Sequence, residues 1–91
     1  MTNEENLILE IIKQGDGLIS KKMYKHAAEL YKEADNLAEK WRDLYGARIY
    51  ASLAFCYAHI GNLTLAKHFI SQHEEQFGDF GISDDAEQRM L

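Results

Sequence analysis

Leu53-Ala54-Phe55-Cys56-Tyr57-Ala58-His59-Ile60-Gly61-Asn62-Leu63-Thr64-Leu65-Ala66 holds the end of one helix, a tight turn and the start of another. Leading into it, Leu44, Tyr45, Ala47, Tyr50, Leu53, Ala54, Tyr57 and Ala58 recur at three- and four-residue steps, the period of a helical stripe. Gly61 is suited to the left-handed conformation that follows a helix end, and Gly61-Asn62 is the clearest turn signal in the chain. Beyond the turn, Leu63, Ala66, Phe69, Ile70 and Phe77 form the stripe of the next helix.

The same arrangement occurs 39 residues earlier. Leu18-(x5)-Tyr24-(x2)-Ala27-(x3)-Tyr31-(x2)-Ala34 matches Tyr57-(x5)-Leu63-(x2)-Ala66-(x3)-Ile70-(x2)-His73 in every spacing. Upstream, Ile11 aligns with Tyr50 and Gly15 with Ala54. Small residues therefore recur where one helix must let its partner approach, and Ala27 and Ala66 answer them from the second helix of each pair. The first helix begins at a Thr2/Glu5 capping box, with Asn3 as the alternative cap. It carries Leu7, Ile8, Ile11, Ile12, Leu18 and Ile19 to about Ser20, and Gly15 and Gly17 inside it predict close approach by another helix. A second helix starts near Tyr24 and extends its stripe to Trp41, with its Lys and Glu residues mostly facing water. After Gly78 and Gly81 the acidic run Ser83-Asp84-Asp85-Ala86-Glu87 reads as a cap and first turn of a short last helix over 84–90, or as a frayed end.

Composition agrees. Ten Ala and ten Leu stand against no Val, no Pro and two Thr, so strand formers are scarce and the usual helix breaker is missing. Ninety-one residues suit one domain. The fold class is all-α: two stacked antiparallel helix hairpins with a short C-terminal helix or tail. A net charge of −5 has the wrong sign for phosphate backbones, so nucleic acid is not an expected partner. The single cysteine, Cys56, excludes a disulfide framework, and no apolar run reaches the ~20 residues of a membrane span. With an acidic start where a secretory signal would be basic, a cytoplasmic protein is expected.

These residues make the sequence similar to the tetratricopeptide repeat family, in its long-helix variety. The stretch from Leu53 to Ala66 carries the resemblance, with Gly15, Leu18, Tyr24, Ala27, Tyr31 and Ala34 as the earlier counterparts. Trp41-Arg42-Asp43-Leu44-Tyr45-Gly46-Ala47 fits that variety's link between repeats. One repeat would span about 7–41, the second about 43–77, and 78–91 would be an extension. The first copy departs from the family pattern at Lys22, where Gly is preferred, and at Gln14, where Leu is usual, and both copies lack the common terminal Pro. These departures bear on the geometry of the first hairpin. The resemblance implies a concave face lined by the first helix of each pair. Position by position it would hold Leu9, Ile12, Lys13, Asp16 and Ile19, then Arg48, Ala51, Ser52, Phe55, Ala58 and His59. Family members that bind chaperones grip a carboxylate with Lys and Asn here. Ile12, Asp16 and Ser52 occupy those sites, so that clamp is not implied.

An apolar groove of Leu9, Ile12, Ile19 and Phe55, edged by Lys13 and Arg48 and flanked by Ser52 and His59, suits an amphipathic helix or an extended hydrophobic segment. The expected function is that of an adaptor or small chaperone for another protein or peptide. The alternative is a structural subunit that forms a homodimer through the same face, because two repeats fall short of the usual three. No chemistry competes with these readings. His68 and His73 are five apart, about 140° around a helix, and His26 and His59 lie elsewhere, so no metal is expected. Cys56 falls inside an apolar stripe, and Glu74-Glu75 and Asp84-Asp85 diverge as adjacent pairs. Gly15-Asp16-Gly17 has no strand before it to make a phosphate loop. Neither catalytic residues nor a cofactor are expected. Lys21, Lys22, Lys25 and His26 read as a solvated turn.

Overall fold

The capping box forms as its spacing predicts. Glu5 N–H donates to Thr2 Oγ1 at 3.1 Å and Thr2 N–H to Glu5 Oε1 at 3.4 Å, which opens α1 (Asn3–Ser20). In the computed structural model, which describes residues 2–78, three further helices follow: α2 (Tyr24–Leu37), α3 (Arg42–Ile60) and α4 (Leu63–Phe77). No strand occurs among the described residues. The fold is all-α and built of helix hairpins. Each helix packs on the next, α1 on α2, α2 on α3 and α3 on α4. The expected short helix over 84–90 lies outside the described residues.

The 39-residue repetition is structural. The first hairpin starts its helices at Asn3 and Tyr24, and the second starts them at Arg42 and Leu63, 39 positions later in both cases. The two turns close alike: Met23 N–H donates to Leu18 O and Asn62 N–H to Tyr57 O, each at 2.9 Å. Such a bond requires a left-handed residue just before the donor. Gly61 supplies it with φ 92°, and Lys22 supplies it with φ 61°. Lysine thus adopts the conformation that its aligned glycine takes freely, and the first turn keeps its geometry. Asn62 also caps α4, its Oδ1 accepting from Leu65 N–H at 3.1 Å.

Three details differ from the periodicity reading. The second helix ends at Leu37, and Ala38–Trp41 tightens into a 3-10 turn. Asp35 and Arg42 hold that corner: Arg42 Nη2 lies 3.0 Å from the Asp35 carboxylate and donates to its carbonyl at 3.2 Å, while Nη1 donates to Tyr50 Oη at 2.7 Å. Burial raises the Asp35 carboxyl above its usual range, with Arg42 and then Tyr50 pulling it back. Next, Gly15 is buried against the Tyr31 ring of α2, whereas Gly17, also expected at a close approach, has open space around it. A β-carbon at Gly15 would sit 2.8 Å from Tyr31 Cζ. Finally, Leu7, Leu44 and Leu63 are on the stripes yet exposed, at 50%, 66% and 61%. Leu7 directly precedes the fully buried Ile8 and so lies on the outward edge of its stripe, and Leu44 lies in the first turn of α3. Leu63 opens α4 beside the turn.

The core runs through both hairpins. Ile8, Ile11, Ile12, Tyr31, Ile49, Leu53 and Cys56 are buried in one continuous cluster with the small residues Ala27, Ala34 and Ala66. Aromatic rings fill the second hairpin, where Tyr57 stacks on Phe69 with centroids 5.8 Å apart and Tyr50 meets Phe69 and Phe77.

A candidate protein-binding face on α1 and α3

Long side chains bridge α1 and α3 along one face, with α2 behind them. Near their N-terminal ends Tyr45 Oη donates to Glu5 Oε2 at 2.9 Å. Further along, Arg48 Nη2 donates to Asp16 Oδ2, and Tyr31 of α2 donates its hydroxyl to Asp16 Oδ1. One carboxylate therefore ties three helices together. Burial, followed by the Asp16 carboxylate beside it, raises the Tyr31 hydroxyl far above the usual tyrosine range. Ser52 lies one turn past Arg48 and faces the same hydroxyl.

Beyond Ser52 the face becomes aromatic. Phe55 and His59 follow at three- and four-residue steps, so they share a side of α3. Their rings pack at 4.4 Å. Tyr24, the first residue of α2, stacks on His59 at 4.4 Å with an interplanar angle of 13° and meets Phe55 edge-on at 6.0 Å. Phe55 remains 45% exposed within this cluster. Tyr24 was not among the residues expected at the face. Its aligned partner Leu63 shows only a helix start, and the approach of α2 to the last turns of α3 is a packing feature that no spacing within one helix reports.

On α1, Leu9 and Ile19 are half-buried and Lys13 is exposed. Ile12 is the exception to the expected lining: at 2% exposure it is core, and it supports the face from beneath. Its step of four from Ile8 puts it on the side of α1 turned toward the hairpin interior. The structure thus brings Arg48, Ser52, Phe55 and His59 into one line on α3, with Asp16 of α1 clasping Arg48 across the gap.

The other chemistry-bearing residues are placed apart from this face. Cys56 is fully buried, and burial pushes its thiol up to about 11, so it stays protonated at neutral pH. His73 is buried beside Phe77, and His68 is exposed with its ring edge-on to Phe69. Among the described residues no three His, Cys, Asp or Glu side chains come close enough to hold a metal ion. No described helix is long and apolar enough to cross a membrane. Comparison with models of known families, with curated proteins and with solved structures finds no match for the chain.

Proposed function

We propose that this chain is a non-enzymatic protein-interaction module of tetratricopeptide type, an adaptor or small chaperone that works in the cytoplasm. It holds an apolar helical or extended segment of another protein along the α1–α3 face. The observation that carries this reading is Phe55: a large aromatic side chain, nearly half exposed, held in place by His59 and Tyr24. An anchor whose ring is already fixed loses little rotamer freedom on binding, which is why rigid aromatics dominate interface energetics. Leu9 and Ile19 extend the apolar surface on α1, and Lys13 adds a positive charge to its rim beside the Arg48–Asp16 pair. The family assignment draws support from the common 39-residue register of both hairpins and from the left-handed backbone shared by Lys22 and Gly61.

The test compares capture from lysate of the source cell by the wild type and by Phe55→Glu, followed by titration of the captured segment with both purified proteins. Circular dichroism of the two should match, because Phe55 points outward, and the variant should bind at least about tenfold more weakly, the ~1.4 kcal/mol expected of a central aromatic anchor. Equal binding by both would overturn the reading. A wild type that runs as a dimer and a variant that runs as a monomer, with neither retaining a client, would instead make this face a self-interface.

A further inference from the structure

The topology sorts the charges by end. Both hairpin turns, at 21–23 and at Gly61-Asn62, lie at one end of the molecule, since Tyr24 touches Phe55 and His59 in the last turns of α3. The opposite end gathers the start of α1, the corner between α2 and α3, and the end of α4, as Glu5–Tyr45, Asp35–Arg42 and Phe77 against Gly46 show. Exposed Lys21, Lys22, Lys25 and Lys67 occupy the turn end. Among the described residues Glu29 and Asp16 are the carboxylates nearest to it, and Asp16 is taken up by Tyr31 and Arg48. Glu4, Glu5, Glu39, Asp43, Glu74 and Glu75 occupy the other end, facing Lys40 and an Arg42 already paired with Asp35. The large apolar side chains left in water follow the same division. Met23 and Leu63 are exposed at the basic end, and Leu7, Leu37 and Leu44 at the acidic one, with Phe55 on the side face.

Each end thus pairs exposed apolar side chains with one sign of charge, and the signs are opposite. We propose that copies of this chain associate head to tail, the basic turn end of one seated on the acidic end of the next. Opposite fields select this orientation and like fields reject the two symmetric ones, while apolar contact supplies the non-directional attraction. The net charge of −5 is no obstacle. The two ends are held apart by helices of 14–19 residues, about 20–30 Å at ~1.5 Å per residue, and screening acts within ~8 Å at physiological ionic strength, so an arriving copy responds to the end it meets. A contact between two different surfaces propagates, closing into a ring only if the rotation allows and otherwise giving open chains. This inference needs no foreign partner, and its test leaves Phe55 in place, so its failure and that of the partner-binding reading are told apart.

Sedimentation velocity of the full chain over a wide concentration range tests it. Mass should rise past the dimer, and association should weaken by about tenfold or more between about 50 mM and 500 mM salt. Two variants then separate the ends: Lys21→Glu/Lys25→Glu/Lys67→Glu makes both ends negative, and Glu39→Lys/Asp43→Lys/Glu74→Lys/Glu75→Lys makes both positive. Each alone should stay monomeric with unchanged helicity, and an equimolar mixture should assemble again. If either variant loses helicity, the corresponding Gln substitutions replace it, with weakened assembly expected. A monomer at every concentration, a salt-insensitive closed dimer, or a mixture that fails to assemble would each overturn the proposal.

Discussion

Lys22 occupies a conformation that costs an L-residue with a β-carbon about 1 kcal/mol or more, yet the Met23–Leu18 bond that closes the first turn requires it. Replacing it with glycine should therefore stabilise the protein by about 1 kcal/mol and raise Tm by about 4–8 °C, while Gly61→Ala should lower stability by a similar amount. Thermal melts of the two variants check the pair. A second prediction concerns Cys56, whose thiol burial holds up to about 11 against an ordinary 9.0. Between those values the unfolded chain gives up the proton and the folded chain keeps it. The unfolded state then binds fewer protons, so stability is full below about pH 9 and falls as pH rises through the window. Tyr31, raised in the same direction by burial and Asp16, adds to the fall at its upper end. Urea midpoints at about pH 8 and about pH 10.5 should differ clearly in the wild type and less in Cys56→Ala. The burial of Cys56 was legible from its neighbours in the stripe. The hydrogen bond of Tyr31 was not, because Asp16 reaches it from another helix.

At the scale of elements, two glycines meet rings in different circumstances. Gly15 lies against Tyr31, which is fully buried and tied to Asp16, while Gly46 lies against the partly buried Phe77 at the end of α4, with Cζ 2.6 Å from an added β-carbon. Alanine improves helix propensity by up to about 1 kcal/mol at either place. At Gly46 the terminal ring can swing aside, so Gly46→Ala should be near neutral. At Gly15 nothing yields, and Gly15→Ala should cost about 1–3 kcal/mol of overpacking. Denaturant titration of both variants measures the difference, and equal values would remove Tyr31 as the rigid neighbour. Existence, order and starts of the helices were legible, because a shared offset of 39 constrains two hairpins at once. The widths of the stripes were less so. Leu7, Leu44 and Ile12 all keep helical period, but only the placement of the neighbouring helices determines that the first two face water while the third lies in the core.

For the whole molecule, Asp16 is the point where α1, α2 and α3 meet. Asp16→Ala would leave the buried Tyr31 hydroxyl without its carboxylate, a loss of about 1–3 kcal/mol. Arg48→Ala removes only the exposed arm of the same cluster, and about 0–1 kcal/mol should go with it. Chemical unfolding of both variants tests that ranking, and the reverse order would mean that the ion pair, not the buried hydroxyl, holds the junction. The candidate face was legible in part: Phe55, His59, Ser52 and Arg48 share one side of a helix by spacing alone. Tyr24 and the sorting of charge by end were not, because both depend on which helix ends meet. The antiparallel hairpins carry one more implication. An even number of helices always returns the chain to the end it left, and Asn3 and Phe77 both lie there. Duplication of the 39-residue unit would therefore lengthen the protein sideways, adding each new hairpin turn to one pole and each new corner to the other. Growth of that kind enlarges the two poles in step and leaves their separation at one helix length.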